Sequence, residues 1–97
     1  MRKTLIASAI VVSAFAATEA KTQVVLDMTM LTCKQYLEAD KTRQDIIAAW
    51  MSGYFNAARG NPVFNASLFT SNRNRVSAYC KKHRPETLMS AIQRSAR

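Results

Sequence analysis

Thr32-Cys33-Lys34-Gln35-Tyr36-Leu37 and Val76-Ser77-Ala78-Tyr79-Cys80 hold the two cysteines of this 97-residue chain, and the two segments mirror each other. Thr32 and Gln35 match a capping box: a hydroxyl at the N-cap and an amide three positions on, each bonding the other's backbone N–H. Cys33, Tyr36 and Leu37 then fall at i, i+3 and i+4, one face of a helix. Val76, Tyr79 and Cys80 share a face in the same way. Each cysteine stands beside a tyrosine on the apolar side of a helix, so a bond between them would tie the two faces together.

Whether that bond forms depends on the compartment. Met1-Arg2-Lys3 is a positive start, and Thr4 to Ala17 is an almost unbroken run of Leu, Ile, Ala, Val and Ser. Small residues follow to Ala20. This is the layout of a secretory leader, bacterial in character. Cleavage is expected after Ala20; Ala14-Phe15-Ala16 fits the small-x-small rule better but leaves a longer tail. The apolar run of about 14 residues falls short of the ~20 that span a bilayer, so no stable membrane insertion is expected, with an uncleaved anchor as the alternative. An exported chain reaches an oxidising compartment, where an isolated cysteine pair is normally a disulfide. Cys33 to Cys80 closes a loop of about 48 residues, worth roughly 4 kcal/mol in the chain-entropy picture. The expected organisation is a signal peptide over 1–20, a flexible arm over 21–30 and a disulfide-stapled helical domain over 31–97. A domain this small often needs such a staple.

Outside the cysteine segments the pattern is all helical. Asp40 interrupts the short first helix. A second runs from about Thr42 to Arg59, with Ile46, Ile47, Trp50, Met51, Tyr54 and Ala58 as its apolar stripe. Gly60 stands where a left-handed cap belongs and Pro62 just beyond it. Gly53 weakens the helix interior by about 1 kcal/mol relative to Ala unless another backbone approaches closely there. Residues 61–69 read as a linker that carries Val63, Phe64, Leu68 and Phe69. They form either a lid on the core or an exposed patch for a partner. Thr70 or Ser71 is expected to cap a third helix through about Lys82, and Pro85 to lie in the first turn of a fourth that carries Leu88, Met89 and Ile92. The fold class is all-α: a small bundle of about four helices with one disulfide.

The chain carries 14 Lys and Arg against 6 Asp and Glu, a formal charge of +8. Loss of Arg2, Lys3 and Glu19 with the leader leaves 12 basic and 5 acidic side chains, or +7. Such a charge favours anionic partners, but the basic residues are scattered and an exported protein does not meet nucleic acid. No enzyme constellation is present. His83 is the one histidine, and it stands in a basic stretch; two cysteines without CxxC spacing make no zinc site. There is no phosphate loop, no GxSxG and no cofactor motif. Catalysis, a metal and a cofactor are therefore not expected. A thiol switch is the redox alternative to a structural bridge, and the apolar-face positions favour the bridge.

The cysteine segments carry a further signal when joined to Ala49-Trp50-Met51, Gly53-Tyr54, Tyr79-Cys80-Lys81-Lys82 and Pro85. Together they resemble the HdeA/HdeB family of periplasmic acid-stress chaperones, over about Met28 to Ile92. The resemblance implies a periplasmic protein, a homodimer at neutral pH, that loosens in strong acid and holds acid-unfolded client proteins soluble without ATP. In that reading Trp50, Met51, Tyr54, Phe55, Phe64, Leu68 and Phe69 grip the clients, with Trp50 and Tyr54 in the core at neutral pH. Below about pH 3 the carboxylates of Asp27, Glu38, Asp40, Asp45 and Glu86 are protonated and His83 is charged, which takes the formal charge from +7 to about +13. The other classes to weigh are a small exported binding or immunity module that blocks one protein partner, and a basic envelope-binding protein whose binding collapses with salt.

Overall fold

The computed structural model describes residues 25–97; the leader and the start of the arm lie outside the described residues. Four helices follow one another: α1 (Cys33–Glu38), α2 (Lys41–Ala58), α3 (Ala66–Lys82) and α4 (Leu88–Ser95). No strand occurs among the described residues, only an isolated antiparallel bridge between Thr32 and Thr87. The Cys33–Cys80 disulfide joins α1 to α3, and both cysteines are fully buried. Around it lie Leu31, Tyr36, Ile47, Met51, Val76, Leu88 and Ala91. Leu26 and Met28, in the segment read as an arm, pack against this core. Between them Asp27 forms a turn, its carboxylate accepting from the Thr29 N–H and hydroxyl.

α1 begins as its capping box requires: the Gln35 N–H donates to Thr32 Oγ1 at 3.1 Å, and Gln35 Oε1 accepts from the Thr32 N–H at 2.9 Å. Its next donors find partners from far along the chain. Cys33 N–H donates to Glu86 O and Lys34 N–H to Arg84 O, while Leu88 N–H returns a bond to Leu31 O. The first four N–H groups of a helix have no partner inside it, so here the chain before α4 completes the start of α1. At the other end of α1, Gln44 of α2 donates its amide to the carbonyls of Tyr36 and Leu37.

Three boundaries differ from the sequence expectation. Asp40 does more than interrupt α1: its carboxylate caps α2 by accepting from the Arg43 N–H. α3 starts at Ala66, not after Thr70, because Asn65 Oδ1 accepts from the Leu68 N–H at 2.9 Å. Leu68 and Phe69 are therefore helical residues, and the linker shrinks to 59–65. α4 starts at Leu88 under a Thr87 cap, and Pro85 belongs to the turn before it. This turn and the extended Thr87 after it are held by backbone bonds to residues 31–34, which delays the helix. Gly60 has φ +67°, the left-handed conformation its place after α2 calls for.

Candidate functional site

α2 carries two apolar stripes rather than one. Ile47 and Met51 are buried and Phe55 half-buried, at i, i+4 and i+8 on the inward face. One residue earlier in each turn, Ile46, Trp50 and Tyr54 form a second stripe that is 59%, 43% and 47% exposed. Trp50 and Tyr54 stack with ring centroids 5.2 Å apart and planes within 10°. The expectation that these two rings lie in the core is thus corrected: the core is only one stripe wide, and Ile47, Met51 and Phe55 fill it. Gly53 lies beside the outer stripe. A Cβ built there meets no atom within 4 Å, so no backbone approaches it and its cost in the helix is uncompensated.

α2 leans on α1 and diverges from α3 and α4, which pack against each other. The gap is a cavity of about 480 Å³, floored by Met51, Val76 and Leu88 and walled by Phe55, Leu68, Phe69 and Ile92. The 59–65 linker lines one side of it without closing it. Val63 and Phe64 are 67% and 61% exposed and Leu68 is 42% exposed, so this segment is a patch and not a closed lid. Phe64 touches Phe69, centroids 5.4 Å apart, at one wall of the groove. Of the seven aromatic and aliphatic residues assigned to client contact, Phe55, Phe64, Leu68 and Phe69 line this one cavity with Met51. Trp50 and Tyr54 stand outside it on the outer face of α2.

Two carboxylates hold the helices around this groove, and neither stood out in the sequence as a site. Asp45 on α2 accepts from Arg73 of α3 at 2.9 Å and lies 3.3 Å from Lys41 Nζ. Arg73 also reaches the Tyr36 hydroxyl of α1 and lies over the Phe69 ring. The hydrogen bond from Arg73, then that from Lys41, holds the Asp45 carboxyl below its ordinary value. Glu86 accepts from the Ser90 hydroxyl at 2.7 Å and the Tyr79 hydroxyl at 2.8 Å, and pairs with Arg94 at 3.2 Å. Ser90 first and Tyr79 second hold the Glu86 carboxyl below its ordinary value. Tyr79 is stacked on exposed His83, 3.9 Å between centroids, so the imidazole caps the end of this cluster. The signal for it was present in the four-residue spacing of Glu86, Ser90 and Arg94. For the Asp45–Arg73 pair, 28 residues apart, there was none.

The arrangement holds helices together and presents apolar surface, and the Ser90 and Tyr79 hydroxyls are engaged on the Glu86 carboxylate that Arg94 pairs. Among the described residues no three of His, Cys, Asp or Glu converge on a metal-sized site, and no helix is long and apolar enough to cross a membrane. A family model described as HdeA/HdeB family matches residues 1–90. The chain belongs to the HdeA/HdeB family. Its all-helical fold and its one disulfide agree with that membership. Members of the HdeA/HdeB family are periplasmic chaperones of acid stress, not enzymes, and bind unfolded clients. No curated protein and no solved structure gives a significant match to this HdeA/HdeB chain.

Proposed function

We propose that this chain is a periplasmic chaperone that acid loosens, and that it then holds acid-unfolded proteins soluble without ATP. The observation that carries the reading is the placement of Asp45. The disulfide ties α1 to α3 covalently, whereas α2 is held to α3 by an ion pair that acid removes. A carboxyl whose folded value is depressed contributes stability that is present above its unfolded value, near 4, and is lost as pH falls through the folded value. Asp45 and Glu86 both act in this sense. Their protonation releases α2 and loosens α4, while the rise in net charge pushes the elements apart.

Release of α2 adds Met51, Phe55 and Phe69 to the surface already made by Trp50, Tyr54, Phe64 and Leu68. Those residues are the proposed client grip, and the positive charge of the chain keeps the resulting complexes dispersed. At neutral pH the Ile46, Trp50 and Tyr54 stripe is the proposed face of a homodimer, because an exposed row of large apolar side chains at helical spacing favours self-association. The same exposed stripe favours a second reading, a module that blocks one specific partner at neutral pH.

Light scattering separates the two. An acid-labile test protein is shifted to about pH 2–3, where carboxylates are protonated, with and without the oxidised chain. Suppressed aggregation there and not at pH 7, together with loss of the near-UV aromatic signal, is the expected result. Absence of protection at every pH would leave the specific-partner module as the better account.

A further inference from the structure

The groove between α2 and α3 is open while the Asp45–Arg73 ion pair is intact, and the charged side chains that line it are all positive. Three arginines, Arg59, Arg73 and Arg97, line it with no aspartate or glutamate among the lining residues. Arg73 is taken by Asp45 and Tyr36. Arg59, at the end of α2, makes no ion pair among the described residues; its guanidinium bonds only the Asn56 side-chain oxygen. It stands at the mouth, while Met51, Val76, Leu88 and Ile92 form an apolar bed within. A volume of about 480 Å³ lies in the range of small-molecule sites, roughly 300–1,000 Å³. A long apolar trough that ends at an unpaired guanidinium matches a molecule with an alkyl chain and an anionic head.

We propose that this groove binds one long-chain carboxylate at neutral pH, with its chain along Met51, Phe55, Leu68 and Ile92 and its carboxylate on Arg59. The site shares Met51, Phe55 and Leu68 with the proposed client grip but is occupied in the folded state, and it stands whether or not the chain is a chaperone. It has a built-in release: as pH falls, an ordinary carboxylic acid is neutralised before the Asp45 carboxyl, which Arg73 and Lys41 hold low, so the ligand loses its charge before α2 loses its hold on α3. A ligand that binds only the folded state also stabilises that state by mass action, so a loaded chain loosens at lower pH than an empty one.

The test is calorimetric titration of the oxidised chain at pH 7 with octanoate, decanoate and dodecanoate, kept below micelle formation, and with decyltrimethylammonium as the cationic counterpart. One molecule per chain is expected, with affinity rising about ten-fold for each two-carbon step because each buried methylene is worth about three- to four-fold. Decanoate is expected to bind at least ten-fold more tightly than the cation. Arg59→Ala should weaken decanoate by about five- to ten-fold, whereas Lys34→Ala, an equal loss of charge on the exposed face of α1, should leave it unchanged. Leu68→Gln, at a half-exposed wall position, should weaken every chain length while the circular dichroism spectrum stays that of the parent. Several molecules per chain, equal losses in the Arg59 and Lys34 variants, or no dependence on chain length would overturn the proposal in favour of adsorption to a basic surface. Binding of an acidic apolar peptide in preference to all three carboxylates, or burial of the groove in a dimer that excludes them, would overturn it as well.

Discussion

Gly53 and Gly60 are the two glycines of the chain, and they differ in what a methyl group would do. Gly60 sits at φ +67°, where an L side chain is strained by about 1–2 kcal/mol. Gly53 is in the middle of α2 with open space around the Cβ position. Gly53→Ala should therefore stabilise the fold by about 1 kcal/mol, through helix propensity and a less flexible unfolded chain. The check is a urea titration: the midpoint moves up while the slope stays unchanged. A lower midpoint would mean that Gly53 serves a contact made only with another molecule, since α2 itself offers none. The same outer surface explains Trp50. Its neighbours at i−4 and i+4, Ile46 and Tyr54, are apolar, and so the sequence marks the stripe without marking which side of it faces the core.

At the scale of the helices, the junction of α3 and α4 is a polar clamp on a single carboxylate. Glu86 collects Tyr79 from α3 and Ser90 and Arg94 from α4, and its backbone carbonyl receives the Cys33 N–H of α1. Glu86→Gln keeps the shape and removes the charge. The sign of its effect follows from the depressed carboxyl: the charged form stabilises the fold above its unfolded value near 4, and that stability disappears as pH falls below it. The variant should be less stable than the parent at pH 7, and the difference should shrink as pH falls below the unfolded value near 4 and close once the folded carboxyl is itself protonated. Thermal melts at a series of pH values measure this directly. A gap that stays constant down to pH 2 would remove Glu86 from the acid response and leave Asp45 to carry it.

For the molecule as a whole, the disulfide is the one covalent cross-link among the described residues, and acid does not touch it. α1 is only six residues long, below the length at which a helix is stable by itself. Its position depends on Cys80, on the backbone bonds from residues 84–88 and on the Gln44 amide. Reduction of Cys33–Cys80 is expected to cost about 4 kcal/mol from a total stability that for a small domain is about 5 kcal/mol or somewhat more. Far-UV circular dichroism at pH 7 should then show a chain that has lost much of its helix at room temperature. Full helicity after verified reduction would show that packing around Leu88 and Ile47 suffices without the staple. The oxidised chain in acid is expected to differ from the reduced one, because α1 and α3 remain joined while α2 is released.

The all-helical class, the capping box at Thr32, the cysteine pairing and the left-handed Gly60 were all legible in the residues themselves. Each is a local matter: a spacing of three or four, a side chain that reaches its own helix end, or a glycine placed where a helix stops. The start of α3 was equally local, and Asn65 was the signal, but the apolar residues after it gave the stretch the look of a loop. What only the tertiary structure decided was direction and partnership. Helical periodicity places Ile46, Trp50 and Tyr54 beside Ile47, Met51 and Phe55, yet which stripe is buried depends on where α1 and α3 stand. The delayed start of α4 likewise follows from its pairing with residues 31–34, and the Asp45–Arg73 clamp from a separation of 28 residues that no local pattern encodes. Burial and charge pairing are set by which surfaces meet, and the disulfide fixes one such meeting, that of α1 with α3.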